Sequence, residues 1–154
     1  MGIMNRISHF FVLGLFLSGT ALGIETSLPP KATELEKQFV AMVERAIATT
    51  NIAALIALDY LPGLKAEGAE ALFGSFYRSM IEQGCTKLEL ERVDPETATE
   101  HEDLFGGKVQ ESLPVRWILH VSHPPPVPGG KMTTELRLGL FEGKMRFTHP
   151  VQGK

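Results

Sequence analysis

The chain has 154 residues, of which 44% are hydrophobic and 21% charged, and its 15 Lys and Arg against 18 Asp and Glu give a net charge of −3. The length fits one domain, and the composition is that of a globular protein rather than of a disordered or fibrous chain. The acidic balance excludes a general nucleic-acid binder, whose surface has to be basic. The single cysteine, Cys85, excludes an internal disulfide framework and a cysteine-cluster zinc site, and we expect it to be buried.

Residues 1–23 have the three parts of a secretory signal peptide. Arg6 is the only charged residue near the start, an apolar run fills residues 10–17, and small residues lead to Gly23. A membrane-spanning helix is the alternative, but it needs ~20 apolar residues, about twice this run. We therefore predict export to the periplasm or exterior of a bacterial cell, with membrane contact only through an uncleaved signal.

The rest of the chain is predicted to start with an extended leader over residues 24–32 and to continue as one domain over residues 33–154. Thr33 and Glu36 have the spacing of a capping box, in which the two residues satisfy each other's backbone amides. Apolar residues at helical spacing follow as far as Thr50, so a first amphipathic helix is expected there.

Two further helices are predicted before the chain changes its periodicity. Asn51 is a candidate cap for a short helix over residues 52–60, which Pro62 ends. A third helix covers residues 66–83, with Gly84 as its terminator. Its expected apolar stripe consists of Leu72, Phe73, Phe76, Tyr77, Met80 and Ile81.

From Cys85 onward the hydrophobic pattern alternates with a period of two, which is typical of strands with one covered face. Glu142 and Gly143 lie between two such runs and predict a tight hairpin turn. The predicted strands cover residues 87–91, 115–121, 133–141 and 145–151. We therefore predict an α+β fold with three N-terminal helices packed on an antiparallel sheet of about four strands.

Residues 43–58, with the sequence VERAIATTNIAALIAL, form a long helix, a polar break and a short aliphatic helix. This pattern resembles the opening of nuclear transport factor 2-like domains, a cystatin-related α+β superfamily, and residues 136–151 are similar to the closing hairpin of that fold. The resemblance implies that the sheet is strongly bent and that the helices leave a conical pocket. Some members are isomerases, dehydratases or cyclases, and others are non-catalytic binding or dimerisation modules, so the fold alone does not determine the chemistry.

Asp59 is the only acidic residue in the apolar stretch 55–61, where burial would raise its pKa and make it a candidate base. Tyr60 and Tyr77 are candidate hydrogen-bond donors to a developing oxyanion. The alternative interpretation places Asp59 in solvent at a helix end and both tyrosine hydroxyls at the rim of the fold. Because no diagnostic motif joins these residues, no catalytic site is assigned, and the three remain an alternative.

Metal and cofactor sites are not predicted. His120 and His123 lie three apart at a strand end, and His149 is the nearest third ligand by type, but this spacing supplies no zinc ligand set. We interpret all three as surface histidines. The five acidic residues of the loop 94–103 lack the pattern of an EF-hand and are interpreted as solvated charge.

The leading functional hypothesis is an exported binding module without a catalytic site, which takes a small apolar ligand or a protein partner and could form a homodimer through its sheet face. Arg116, Trp117 and Ile118 are the candidate binding residues, because Trp and Arg are enriched at interfaces. Core packing is the alternative for Trp117. The alternative function is a lyase or isomerase for a small hydrophobic substrate, with Asp59 as base and Tyr77 as donor.

Overall fold

The computed structural model describes residues 23–102 and 106–151. The predicted signal peptide lies outside the described residues except for its last residue, Gly23, and stays a prediction. Within the described part of the chain, no helix is both long enough and apolar enough to cross a membrane.

The described residues form an α+β fold with four helices and a main sheet of five strands. The helices are α1 (Glu34–Ala48), α2 (Ile52–Ile56), α3 (Ala66–Glu82) and α4 (Pro95–Ala98). The strands are β1 (Glu25–Ser27), β2 (Lys87–Arg92), β3 (Glu100–Glu102), β4 (Lys108–Gln110), β5 (Trp117–His123), β6 (Met132–Phe141) and β7 (Lys144–Phe147). The predicted class is confirmed, whereas the predicted three helices and four strands fall short of the observed numbers.

The main sheet has the strand order β1-β2-β5-β6-β7, and a separate two-stranded sheet pairs β3 with β4. All neighbours in the main sheet are antiparallel except β1, which runs parallel to β2. The sequence prediction treated β1 as part of an extended leader. It also missed α4 and β3, which lie in the loop that was interpreted only as solvated charge.

The core lies between the first three helices and one face of the main sheet, here called the inner face. Its largest fully buried side chains include Phe39, Val43, Leu55, Tyr77, Leu88, Leu119, Leu138 and Phe147. Helix α1 begins with the predicted capping box, in which the Thr33 backbone amide donates to Glu36 Oε2 at 2.7 Å and the Glu36 amide donates to Thr33 Oγ1 at 3.3 Å. The capping prediction is therefore confirmed.

Helix α2 ends at Ile56, four residues earlier than predicted, because the next residues pair with β7. The Tyr60 amide donates to the Phe147 carbonyl, and the Phe147 amide donates to the Leu58 carbonyl, both at 2.9 Å. These two hydrogen bonds place Asp59 beside Phe147, in the interior rather than at an exposed helix end.

Helix α3 buries a narrower stripe than its sequence predicts. Leu72 is 63% exposed and Phe76 is 43% exposed, whereas Ala69, Gly74, Tyr77 and Met80 are buried. Phe73 packs against the core and also borders a cavity, whereas Phe76 borders that cavity without being part of the core.

Gly139 in β6 lies in close contact with the segment that leads into β5. A methyl group at Gly139 would lie 2.5 Å from Leu113 Cβ and 2.9 Å from the Pro114 carbonyl oxygen. The absence of a side chain at this position therefore allows the segment 111–115 to approach the sheet.

Candidate functional site

An open cavity of about 400 Å³ lies between α3 and the end of β7. The apolar and aromatic residues that line it are Phe73, Phe76, Tyr77, Leu136, Phe147 and Pro150. The polar part of the lining consists of His101, Glu111, Glu135, Arg137, Thr148 and His149. Cavities of this size that combine an apolar wall with a few polar groups are typical of small-molecule sites.

The first polar cluster is formed by Asp59, Tyr77 and His149, from three separate parts of the chain. The Asp59 side chain is fully buried, and its Oδ1 accepts a hydrogen bond of 2.5 Å from the Tyr77 hydroxyl. His149 Nε2 lies 3.1 Å from the same oxygen, a distance that gives an ion pair once the imidazole is protonated. Asp59 Oδ2 has no hydrogen-bond partner among the described residues.

The His149 ring lies between this carboxylate and the cavity. It stacks on Phe73 with ring centroids 4.3 Å apart and an interplanar angle of 30°. Its side chain is 23% exposed, so the imidazole is accessible from the cavity while Asp59 behind it is not. At 3.1 Å from Asp59 Oδ1, His149 Nε2 is buried and makes no hydrogen bond to the carboxylate, so the ring orientation rests on the stacking against Phe73.

Tyr77 donates its proton to Asp59 and not toward the cavity. Burial raises the pKa of Tyr77 above its ordinary value, and the neighbouring Asp59 carboxylate raises it further. The phenol therefore stays protonated, and its hydrogen bond holds Asp59 in place. Asp59 and Tyr77, the alternative base and donor, are therefore in direct contact, and their catalytic roles stay predictions.

The second polar cluster is formed by His101, Glu111 and Thr148. The Glu111 side chain is 4% exposed; its Oε1 lies 2.9 Å from His101 Nε2, and its Oε2 accepts from the Thr148 hydroxyl. The Glu111 amide donates to the Thr99 carbonyl at 2.9 Å, which fixes the residue just after β4. His101 is therefore a second imidazole that a buried carboxylate holds at the same cavity.

The Arg137 side chain makes no hydrogen bond or ion pair with the described residues, and its Nε shares with His149 Nε2 the state of a buried nitrogen without a hydrogen-bond partner. No carboxylate of the described residues lies within ion-pair distance of the Arg137 guanidinium. A buried, unsatisfied donor of a charged group is costly, so its presence calls for a physical explanation.

The remaining candidate residues lie away from the cavity. Tyr60 packs on Phe141, with ring centroids 4.6 Å apart, and does not line the cavity. Trp117 packs against the core, and its indole N–H donates to Glu36 at 2.8 Å, so it is not an exposed contact residue. Arg116 is exposed, and Ile118 is half-buried on the sheet face opposite the helices, here called the outer face.

The three histidines that were considered as metal ligands do not converge. His120 lies 2.9 Å from Glu91 and 3.6 Å from Glu135 on the outer face, and His149 belongs to the cavity. His123 is 4% exposed, so its interpretation as a surface residue is wrong: Nδ1 donates to the Gly84 carbonyl, and Nε2 contacts Thr134 Oγ1. The described residues contain no group of three or more His, Cys, Asp or Glu able to hold a metal ion.

A second open depression, of about 430 Å³, lies near the start of β6. Most of the residues that line it are of polar type, among them Lys87, Glu89, His120, Ser122, Lys131 and Thr133. Although it is slightly larger than the cavity beside α3, it lacks an aromatic wall and has no buried carboxylate. The cavity beside α3 is therefore the candidate site.

The chain matches no protein-family model, no curated protein and no solved structure. The function therefore has to be argued from the geometry of this cavity.

Proposed function

We propose that this protein binds a small, largely apolar organic molecule in the cavity beside α3. The observation that carries the proposal is the lining itself, where aromatic side chains form one wall and two histidines, each next to a buried carboxylate, form part of another. An apolar molecule that covers Phe73 and Phe76 would remove their exposed surface from water, which is favourable in proportion to the area covered.

The neutral dye N-phenyl-1-naphthylamine, whose fluorescence rises in apolar surroundings, provides a test. Phe76→Ser removes an aromatic group from the cavity wall and is expected to weaken dye binding about tenfold, since burying one large apolar side chain is worth roughly 1.5–3 kcal/mol. The measurement is a fluorescence titration of the wild-type chain and the variant.

Leu72→Ser is the matched control. Leu72 lies one turn earlier on α3, is 63% exposed and does not line the cavity. We expect it to leave the dye affinity within twofold of the wild-type value. Equal losses in the two variants would show that the dye binds a general apolar patch on α3, and this result would contradict the proposal.

The second candidate function is a lyase or isomerase that acts on the bound molecule by proton transfer. The observation that favours it is the Asp59–His149 pair, in which a buried carboxylate lies behind an imidazole that faces the cavity. In this scheme neutral His149 removes a proton from a carbon next to a substrate carbonyl. Asp59 stabilises the resulting imidazolium, and the proton returns to another carbon of the same substrate. His149 takes the role of base, and Asp59 is a positioning residue held by Tyr77.

The isomerisation of 3-cyclohexen-1-one to its conjugated isomer, followed by ultraviolet absorbance, tests this second function. His149→Gln is expected to reduce the rate about 100-fold, the scale of general acid–base catalysis. His120→Gln, on the outer face, is the matched control and should keep the wild-type rate. A wild-type rate equal to that of buffer, or equal rates in the two variants, would rule the second function out.

The wider sequence hypotheses also remain proposals. The order of helices before strands and the cavity between α3 and the sheet support a relationship to nuclear transport factor 2-like domains. The apolar run over residues 10–17 supports export to the periplasm or exterior. Self-association through the outer face rests on Ile118, an aliphatic side chain beside Glu91 of the neighbouring strand β2.

A further inference from the structure

Arg137 lines the cavity without an acceptor among the described residues, and of its guanidinium nitrogens only Nε is buried. Arg137 lies on β6 opposite Thr148, whose amide donates to the Arg137 carbonyl at 2.9 Å, so the backbone at this position is fixed. The Nε atom is buried and has no acceptor among the described residues. A guanidinium carries five N–H donors and stays charged at any physiological pH, so an anion that enters the cavity meets a permanent cation there.

The carboxylates that line the cavity are engaged elsewhere. Glu111 contacts His101 through one oxygen and Thr148 through the other. Glu135 lies 3.6 Å from His120 Nδ1. Neither carboxylate lies within ion-pair distance of Arg137. The cavity lining therefore contains a cationic side chain that has no counterion among the described residues.

We propose that Arg137 binds the anionic group of the ligand, which makes the ligand an amphipathic organic monoanion. The planar acid group of the ligand would accept hydrogen bonds from the guanidinium N–H groups. The apolar body of the ligand would pack on Phe73 and Phe76. This inference rests on the proposed binding function and adds the charge of the ligand. It also separates the cavity into an anchoring part at Arg137 and an apolar part at α3.

Two related dyes test the charge separately from the apolar contact. 8-Anilino-1-naphthalenesulfonate carries a sulfonate that the neutral N-phenyl-1-naphthylamine lacks, while the aromatic frame is shared. Arg137→Gln is expected to weaken binding of the sulfonate dye about tenfold, the scale of one charge-assisted hydrogen-bonding group, and to leave the neutral dye within twofold. Arg45→Gln makes the same charge change at an exposed position of α1 outside the cavity and should affect neither dye.

The outcomes distinguish this inference from the binding function on which it rests. Unchanged sulfonate binding in Arg137→Gln, or an equal loss of both dyes, overturns the role of Arg137 and leaves the cavity as a site for neutral molecules. Failure of the neutral dye to bind the wild-type chain contradicts the proposed function instead. Should circular dichroism show that Arg137→Gln is unfolded, a salt titration of the wild-type chain decides. Added chloride is expected to weaken the sulfonate dye more than the neutral one, and equal salt dependence overturns the inference.

Discussion

Replacing Glu36 by Ala is expected to lower the free energy of unfolding by about 3 kcal/mol and the melting temperature by about 10 °C. Glu36 is 1% exposed and accepts 2.7 Å hydrogen bonds from both Nε and Nη2 of Arg92. It also accepts from the Trp117 indole and closes the capping box of α1. Arg92 is 44% exposed and stays hydrated in the variant. The expected loss of stability is therefore at the lower end of the range for breaking a buried ion pair.

Chemical denaturation of the wild type and the variant measures this difference. Glu34→Ala is the control, because Glu34 lies in the same helical turn but is 76% exposed in its pair with Lys37. Its effect is expected to stay below ~0.5 kcal/mol. Similar losses in the two variants would contradict a special role for Glu36.

The effect of Glu36→Ala also depends on pH. The hydrogen bonds from Arg92 lower the pKa of Glu36 from 4.5 to about 2; burial opposes this shift, and donors from Thr33 and Trp117 add to it. A carboxyl whose pKa is lower in the folded state stabilises the fold fully above its unfolded pKa. That stabilisation is lost as the pH falls from 4.5 through about 2, so the difference between wild type and Glu36→Ala should shrink over this range.

Gly139→Ala is expected to destabilise the protein by about 3 kcal/mol, near the upper end of the usual cost of overpacking. The added methyl group would meet Leu113 Cβ at 2.5 Å and the Pro114 carbonyl oxygen at 2.9 Å, and the backbone atom cannot move away as a flexible side chain can. Because Glu111 lies in the displaced segment, we also expect weaker binding of N-phenyl-1-naphthylamine.

Gly74→Ala is the matched control for this substitution. Its added methyl group would meet only the Cγ atom of Glu70, at 3.3 Å, and Ala is favoured over Gly within a helix by roughly 0.5–1 kcal/mol. We expect an unchanged or slightly higher midpoint in urea denaturation. A Gly139→Ala variant with the wild-type midpoint would show that the segment 111–115 has room to move.

Short stretches of sequence predicted those helices and strands whose formation depends on residues close together along the chain. The Thr33–Glu36 capping box, α1, α3 and the hairpin at Glu142–Gly143 were all visible in short stretches of sequence. The end of α2 was misjudged because Leu58 and Tyr60 pair with Phe147, almost ninety residues away. No local pattern of apolar residues contains such a pairing, and the same holds for β1, which pairs with β2 across three helices.

The candidate site was predictable only in part, for the same reason. Asp59 stood out as an acid in an apolar stretch, and Tyr77 was a candidate partner by type. His149 was considered only as a metal ligand. No local pattern in the sequence predicts that His101 contacts Glu111, or that Arg137 has no acceptor among the described residues. Glu36 shows the same limit: its cap was predicted, but its contacts with Arg92 and Trp117 depend on the folded sheet.

The cluster of Asp59, Tyr77 and His149 constrains the order in which parts of the site can form during synthesis. Asp59 and Tyr77 leave the ribosomal exit tunnel long before His149. Until β7 is synthesised, the Asp59 carboxylate lacks the strand that covers it. Helices α1 to α3 can form early from local contacts, but the cavity has no complete wall until the chain has grown past Pro150. A nascent chain that has not reached Pro150 therefore lacks part of the cavity lining.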